Sequence, residues 1–234
     1  MTTAIIGIGH IGGTVARELA AGGESVVLSA VDRDNVNKLA SEIGGPATAA
    51  SSNRNAVQGA NTIVVALWLG PMRGVIEEIA DLLLGKLVID TSNPISIGAD
   101  GKVSRTLPDG QAAGEVVAGW LPKGTRYAKA FGTLPAPLLA SGARRTPRPA
   151  VLFYATDDAE AAKEVERLIR IAGFDPVGVG GVGESLRIEV GGGRSVRQRT
   201  ERPPRRSRRG RVARQQVKVS GRASISDRSL RAVG

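Results

Sequence analysis

The chain has no cysteine and a single histidine among its 234 residues. The first absence removes disulfides, thiolate nucleophiles and cysteine-ligated zinc, and it fits a reducing compartment. No metal site is expected. No run of about 18 apolar residues occurs, which excludes a helical membrane span, and the first residues enter an apolar strand with no charged leader. The expectation is a cytoplasmic protein without a membrane partner. Aromatic residues are also scarce, at 3%.

A large excess of either charge is missing from most of the chain. The formal net charge is +10, yet residues 191–234 hold 14 Lys and Arg against two acids, leaving residues 1–190 slightly acidic at −2. That basic segment has almost no apolar periodicity and cannot bury enough surface to offset its ordering entropy, so it reads as a disordered Arg-rich tail. No aromatic side chains interleave its arginines to stack on bases, which disfavours nucleic acid as a partner despite the charge.

What is present before residue 191 is a regular alternation. Residues 3–9, TAIIGIG, form an apolar run ending in glycines, and 13–22 repeat apolar positions at helical spacing until Gly22-Gly23. SVVLSA (25–30) is a second strand, followed by a helix from Asp32 to Ile43 with Asp32 or Asp34 as its N-cap. TIVVALWL (62–69) reads as a buried strand, 71–85 as a helix begun by Pro71 and closed by Gly85, and KLVIDTS (86–92) as a strand. A helix near 111–121, a strand at 126–131, a Pro-rich connection to Pro149, a strand at 149–156, an amphipathic helix at 157–173 and a strand at 174–180 follow. Strands alternating with helices predict an α/β fold, a Rossmann-type doubly wound parallel sheet with a small C-terminal α/β extension, spanning 1–190.

The motif with the most information is GIGHIGG at 7–13. Gly7, Gly9 and Gly12 stand in GxGxxG spacing directly after a strand and before a helix. Gly7 suits a tight turn, Gly9 lets backbone approach a pyrophosphate, Gly12 lets helix and strand pack closely, and the helix N-terminus offers free N–H groups. A dinucleotide is the expected cofactor. The end of the second strand decides which one. Asp32, 20 residues past Gly12, could bond a ribose 2′-OH as in NAD enzymes, whereas Ser29 and Arg33 could hold the 2′-phosphate of NADP with Asp32 merely capping the helix. NADP is favoured and NAD stays open. His10 lies inside the phosphate loop, where a backbone contact is its expected role.

The glycine loop, TIVVALWL, DTSNPI (90–95), LPDGQAAGEVVAGWLPKGTRYAKAFGTL (107–134) and AVLFYATDD (150–158) together resemble the NADPH-dependent coenzyme F-420 reductases, within the family of F-420-dependent NADP oxidoreductases. The resemblance covers roughly residues 3–190. It implies hydride transfer between NADP(H) and the deazaflavin coenzyme F-420, in which the protein mainly stacks and orients two rings and needs no side-chain nucleophile. By the same resemblance Ile8, Gly9, His10, Ile11 and Gly12 would hold the pyrophosphate. Ala30 to Arg33 would take the adenosine ribose. Ala66 and Trp68, with Asn93 and Pro94, would flank the nicotinamide, and Lys129, Phe131, Gly132 and Thr133 would face the deazaflavin. The chain departs from the family at Val31 and Asp32, where NADP-binding members often carry a basic residue, and at His10, where asparagine is usual. Read from the residues alone, Asn93-Pro94 also suits an ordinary turn, Trp68 suits core, and Lys129 and Arg126 suit a solvated edge. Reduction of another acceptor (a flavin, quinone or imine) and non-catalytic dinucleotide sensing are the alternatives, and a homodimer stays open.

The tail departs from the resemblance altogether. Short members of the family it resembles end in a GGDL-like turn, an LNGRL-like segment and an acidic close. Codons chosen within the degeneracy of RSVRQRTERPPRRSRRG (194–210), read from the second base, can encode DLFVNGLNGRLVEVDE. A shifted reading frame near Gly191 to Gly193 is therefore expected, and on that reading the tail's charge says nothing about partners.

Overall fold

The computed structural model describes residues 2–190; the expectations for the Arg-rich tail and its reading frame lie outside these residues. Six parallel strands form the main sheet: β1 (Thr2–Ile6), β2 (Ser25–Ser29), β3 (Ala47–Ala49), β4 (Thr62–Val65), β5 (Leu87–Asp90) and β8 (Arg126–Lys129). Their order is β3-β2-β1-β4-β5-β8, so the chain reverses direction across the sheet between β1 and β4. In doubly wound sheets that switch point, at the strands' C-terminal ends, is where ligands bind.

Alternation along each strand sorts side chains to two faces. Ile5, Leu28, Val64 and Ile89 face α1 (His10–Ala21), α2 (Arg33–Ile43) and α7 (Ala159–Ile171), all within one buried cluster. Ala4, Ile6, Ile63, Val65 and Val88 form the other core, with α3 (Asn53–Gln58), α4 (Leu69–Ile79) and α5 (Ala113–Ala118). Each fully buried leucine or isoleucine contributes about 1.5–3 kcal/mol, so both layers are needed to hold the sheet.

The extension is β9 (Val151–Tyr154) paired in parallel with β10 (Asp175–Gly178). It joins the main sheet through one antiparallel bridge, in which Lys129 and Ala155 exchange backbone hydrogen bonds of 2.9 and 3.0 Å. A part-buried cross-link braces the two: Arg167 on α7 bonds both oxygens of Glu24, whose other donor is the Thr3 hydroxyl. Burial pushes the Glu24 carboxyl up, but Arg167 and Thr3 together hold it below its ordinary range.

Several elements differ from the expectation. The strand expected over 62–69 stops at Val65, because α4 already starts at Leu69 with Pro71 in its first turn. That helix ends at Ile79 and continues as a 3-10 turn to Leu82, short of Gly85. The loop after Pro94 contains a hairpin, β6 (Ile95–Ile97) and β7 (Val103–Arg105), and the Pro-rich connection contains α6 (Ala136–Gly142). These short elements lack a full period of their own and are fixed by what they pack against. Among the described residues no helix is long and apolar enough to cross a membrane.

Candidate functional site

The site begins where β1 ends. Gly7 turns with φ +89°, and a Cβ there would stand 2.6 Å from the Ala66 carbonyl oxygen; at Gly12 it would stand 1.9 Å from the Gly7 carbonyl oxygen. No side chain fits either place, so β1, the loop and α1 close onto the end of β4. Gly9 is different. It is the N-cap residue of α1, carries no side-chain cap, and an added Cβ would meet nothing within 4 Å. The first intrahelical bond runs from Gly13 N–H to the Gly9 carbonyl, leaving the N–H groups of the first turn without helical acceptors beside open space. Twelve residues of helix dipole point the same way, so the loop fits a pyrophosphate.

A cavity of about 740 Å³ opens from this loop. It gathers Gly7, Ile8, Gly9, His10, Ala30, Asp32, Ala66 and Trp68 from the expected set. Ile11, Gly12, Ser29, Arg33, Asn93 and Pro94 are not among its lining. Ser29 is 2% exposed and donates its hydroxyl to Asn53 Oδ1 at 2.8 Å, a tie to α3 that draws it away from the cavity. Asp32 is the N-cap of α2: its oxygens accept from the Asn35 backbone N–H at 3.0 Å and from Asn35 Nδ2 at 2.6 Å. Trp68 is 55% exposed and so is not core.

The cavity also takes in residues the sequence reading passed over. Gly13, Thr14 and Arg17 line it from α1 beside the expected His10, and Asn35, Lys38, Leu39 and Glu42 from α2. Both sets follow the i, i+3, i+4, i+7 spacing of one helix face, which was legible once the two helices were known to face the same groove. Arg17 pairs with Glu42, whose carboxyl the guanidinium holds below its ordinary range.

A second cavity, of about 650 Å³, adjoins the first and shares Trp68 and Pro71 with it. Its walls are mostly apolar: Leu69 on α4, Ile95 and Ile97 on β6, Leu107, Val116 on α5, and Trp120 just after that helix. These residues are scattered over 50 positions of sequence, and no local pattern connects them.

The four residues expected to face a second ring line neither cavity. Lys129 is 3% exposed, buried rather than on a solvated edge, with its ammonium 2.6 Å from Asp90 Oδ2 and 3.2 Å from Ser92 Oγ. Phe131 is 1% exposed with φ +61°, a conformation a bulky side chain holds only where packing enforces it. Thr133 is buried, and the Gly132 carbonyl accepts from Asn93 Nδ2 at 2.9 Å. Asp90 is the hub of this buried group, accepting also from Tyr127 OH at 2.9 Å and from the Ser92 N–H at 2.6 Å. Burial and then the adjacent Asp90 push the Tyr127 phenol well above its ordinary value. Tyr127 is therefore a neutral donor here. Among the described residues no group of His, Asp and Glu could hold a metal ion.

Residues 2–94 match the family model described as NADP oxidoreductase coenzyme F420-dependent. The match covers 93 of the 234 residues, the segment from β1 through β5 with the glycine loop. A protein of unassigned function from Sinorhizobium meliloti is 27% identical, with a TM-score of 0.73, over 82% of this chain and 91% of its own. A protein named as a candidate F420-dependent NADP reductase from Arthrobacter sp. FB24 is 22% identical, with a TM-score of 0.68, over 78% and 86%. An imine reductase from Myxococcus stipitatus, solved with NADP+, shares the fold at 18% identity and TM-score 0.62, over 79% of this chain but 57% of its own. Nothing matches among the curated proteins.

Proposed function

We propose that this protein passes hydride between NADP(H), held in the glycine-loop cavity, and a flat apolar acceptor in the adjoining cavity, with the deazaflavin ring of coenzyme F-420 as that acceptor. The observation that carries the reading is the shared wall of Trp68 and Pro71 at the end of β4. Hydride transfer requires two rings within van der Waals reach, and two adjacent cavities of about 740 and 650 Å³ meeting at one indole offer that arrangement. The family match over residues 2–94 supports the same chemistry. When bound, the dinucleotide supplies the hydride chemistry; the chain's residues bind and orient. The α1 N-terminus and the Gly9 backbone face the pyrophosphate, and Trp68 bounds the nicotinamide end.

Cations at the adenosine end bear on NADP over NAD. Ala30 stands where β2 ends, so no carboxylate occupies that position, and Asp32 already serves Asn35. Lys38 lines the cavity, as does Arg17 in its pair with Glu42. A 2′-phosphate would meet them there.

The test is anaerobic mixing of the protein with NADPH and oxidised coenzyme F-420, followed by the deazaflavin's visible absorbance, with NADH as control. Bleaching by NADPH is expected. NADPH binding without bleaching would hand the second cavity to another acceptor, such as an imine or a quinone, and absence of dinucleotide binding would overturn the reading.

A further inference from the structure

Two consecutive residues, Glu189 and Val190, hold two separate segments that wall the apolar cavity. Glu189 follows a 3-10 helix at Val182–Ile188 and is 4% exposed. Its carboxylate accepts from the N–H groups of Ala113 and Gly114, each at 2.9 Å, at the start of α5. That helix carries Val116 into the cavity wall and leads to Trp120. The Val190 N–H donates to Asn93 Oδ1 at 2.7 Å. Asn93 precedes Pro94 and β6, whose Ile95 and Ile97 form another part of the wall. Neither Glu189, Val190 nor Asn93 lines the dinucleotide cavity.

The arrangement is costly enough to need a reason. A buried carboxylate loses its hydration, and the nearest cation to Glu189, Lys129, is 3.8 Å away and already committed to Asp90 at 2.6 Å. Two backbone N–H groups compensate the charge only while α5 keeps its position. The Asn93 amide is spent likewise, its Nδ2 on the Gly132 carbonyl and its Oδ1 on Val190. It therefore acts as a clasp between loops.

We propose that Glu189 and Val190 are a positioning latch for the second-substrate cavity, setting the α5 wall through Ala113 and Gly114 and the β6 wall through Asn93. The inference rests on reading that cavity as the acceptor's seat. Disturbing the latch changes the acceptor site and leaves dinucleotide binding alone, a split that a merely structural role would not produce.

The chain's two tryptophans make the test direct. In the full chain carrying Trp68→Phe, Trp120 is the sole indole and reports the apolar cavity. Glu189→Ala, Glu189→Gln and Asn93→Ala are compared in that background by acrylamide quenching of Trp120, by NADPH affinity read from the nucleotide's own fluorescence, and by titration with oxidised coenzyme F-420. Both alanine variants are expected to raise Trp120 quenching and weaken F-420 about tenfold, a loss of about 1.4 kcal/mol, with NADPH affinity unchanged. Glu189→Gln, which keeps one carbonyl acceptor, falls between. Unchanged quenching, or parallel loss of NADPH and F-420, overturns the latch. Should Glu189→Ala not fold, Asn93→Ala carries the same comparison. A chain with both tryptophans that binds neither NADPH nor F-420 overturns the proposed function instead, while Trp120 quenching still judges the latch.

Discussion

The upper edge of the sheet is built by opposite means at its middle, where β1 and β4 end, and at one side, where β5 and β8 end. At the middle the chain strips away side chains, so that Gly7 and Gly12 let backbone touch backbone and Gly9 borders open space. At the β5–β8 side it buries charge instead, packing Asp90, Lys129, Tyr127 and Glu189 into one group with Ser92. The first place leaves donors unspent beside a cavity, which is what a ligand site needs. The second ties its charged groups and the Tyr127 hydroxyl to one another, which is what a scaffold needs. Polarity alone does not mark a site; unpaired polarity beside open space does.

If that contrast is right, the two places fail differently. Lys129→Met should give the largest loss of stability, about 3–5 kcal/mol, because Asp90 and Glu189 are left buried without a cation. In a domain of this size that lowers the melting temperature by roughly 10 °C. NADPH affinity measured well below the melt should hold, and a selective loss of NADPH binding would break the division. Gly12→Ala should do the reverse. Its Cβ would stand 1.9 Å from the Gly7 carbonyl oxygen, so the loop must move, and overpacking of this kind costs about 1–3 kcal/mol. Titration should show NADPH binding falling by about tenfold or more, since each 1.4 kcal/mol of lost loop geometry is a factor of ten. Wild-type affinity in Gly12→Ala would show that the loop tolerates a side chain and does not cradle the pyrophosphate.

The difference between the two places also explains what could be read from sequence. The glycine loop is legible because turn, close approach and helix start fall within seven residues, and the strand alternation around it fixes the sheet. Asp32 was readable as a cap for the same local reason. Lys129 was not: its partner Asp90 lies 39 positions away, and only β5–β8 pairing brings a lysine of an apparent edge strand into the interior. The bond from Ser29 to Asn53 was not legible either, because its partner lies 24 positions away on α3. The apolar cavity was invisible for a further reason. Its walls come from α4, β6 and α5, and the hairpin and short helix that supply two of them show too little periodicity to be located alone.

The finest test concerns the β2 side of the dinucleotide cavity, where α2 presents exposed charge. Lys38 is exposed and lines the dinucleotide cavity, whereas Arg33, the first residue of α2, does not line it. A solvated lysine against a phosphate contributes at most about 1 kcal/mol and is screened by salt. Lys38→Ala should therefore weaken NADPH only about three- to fivefold at low salt, with a smaller effect at high salt, and should leave NADH unmoved because NADH lacks the 2′-phosphate. Arg33→Ala should change neither. Equal losses for NADPH and NADH in Lys38→Ala would place the lysine at the pyrophosphate or on Glu42 instead, and would remove the cation argument for NADP while leaving the glycine loop's role intact.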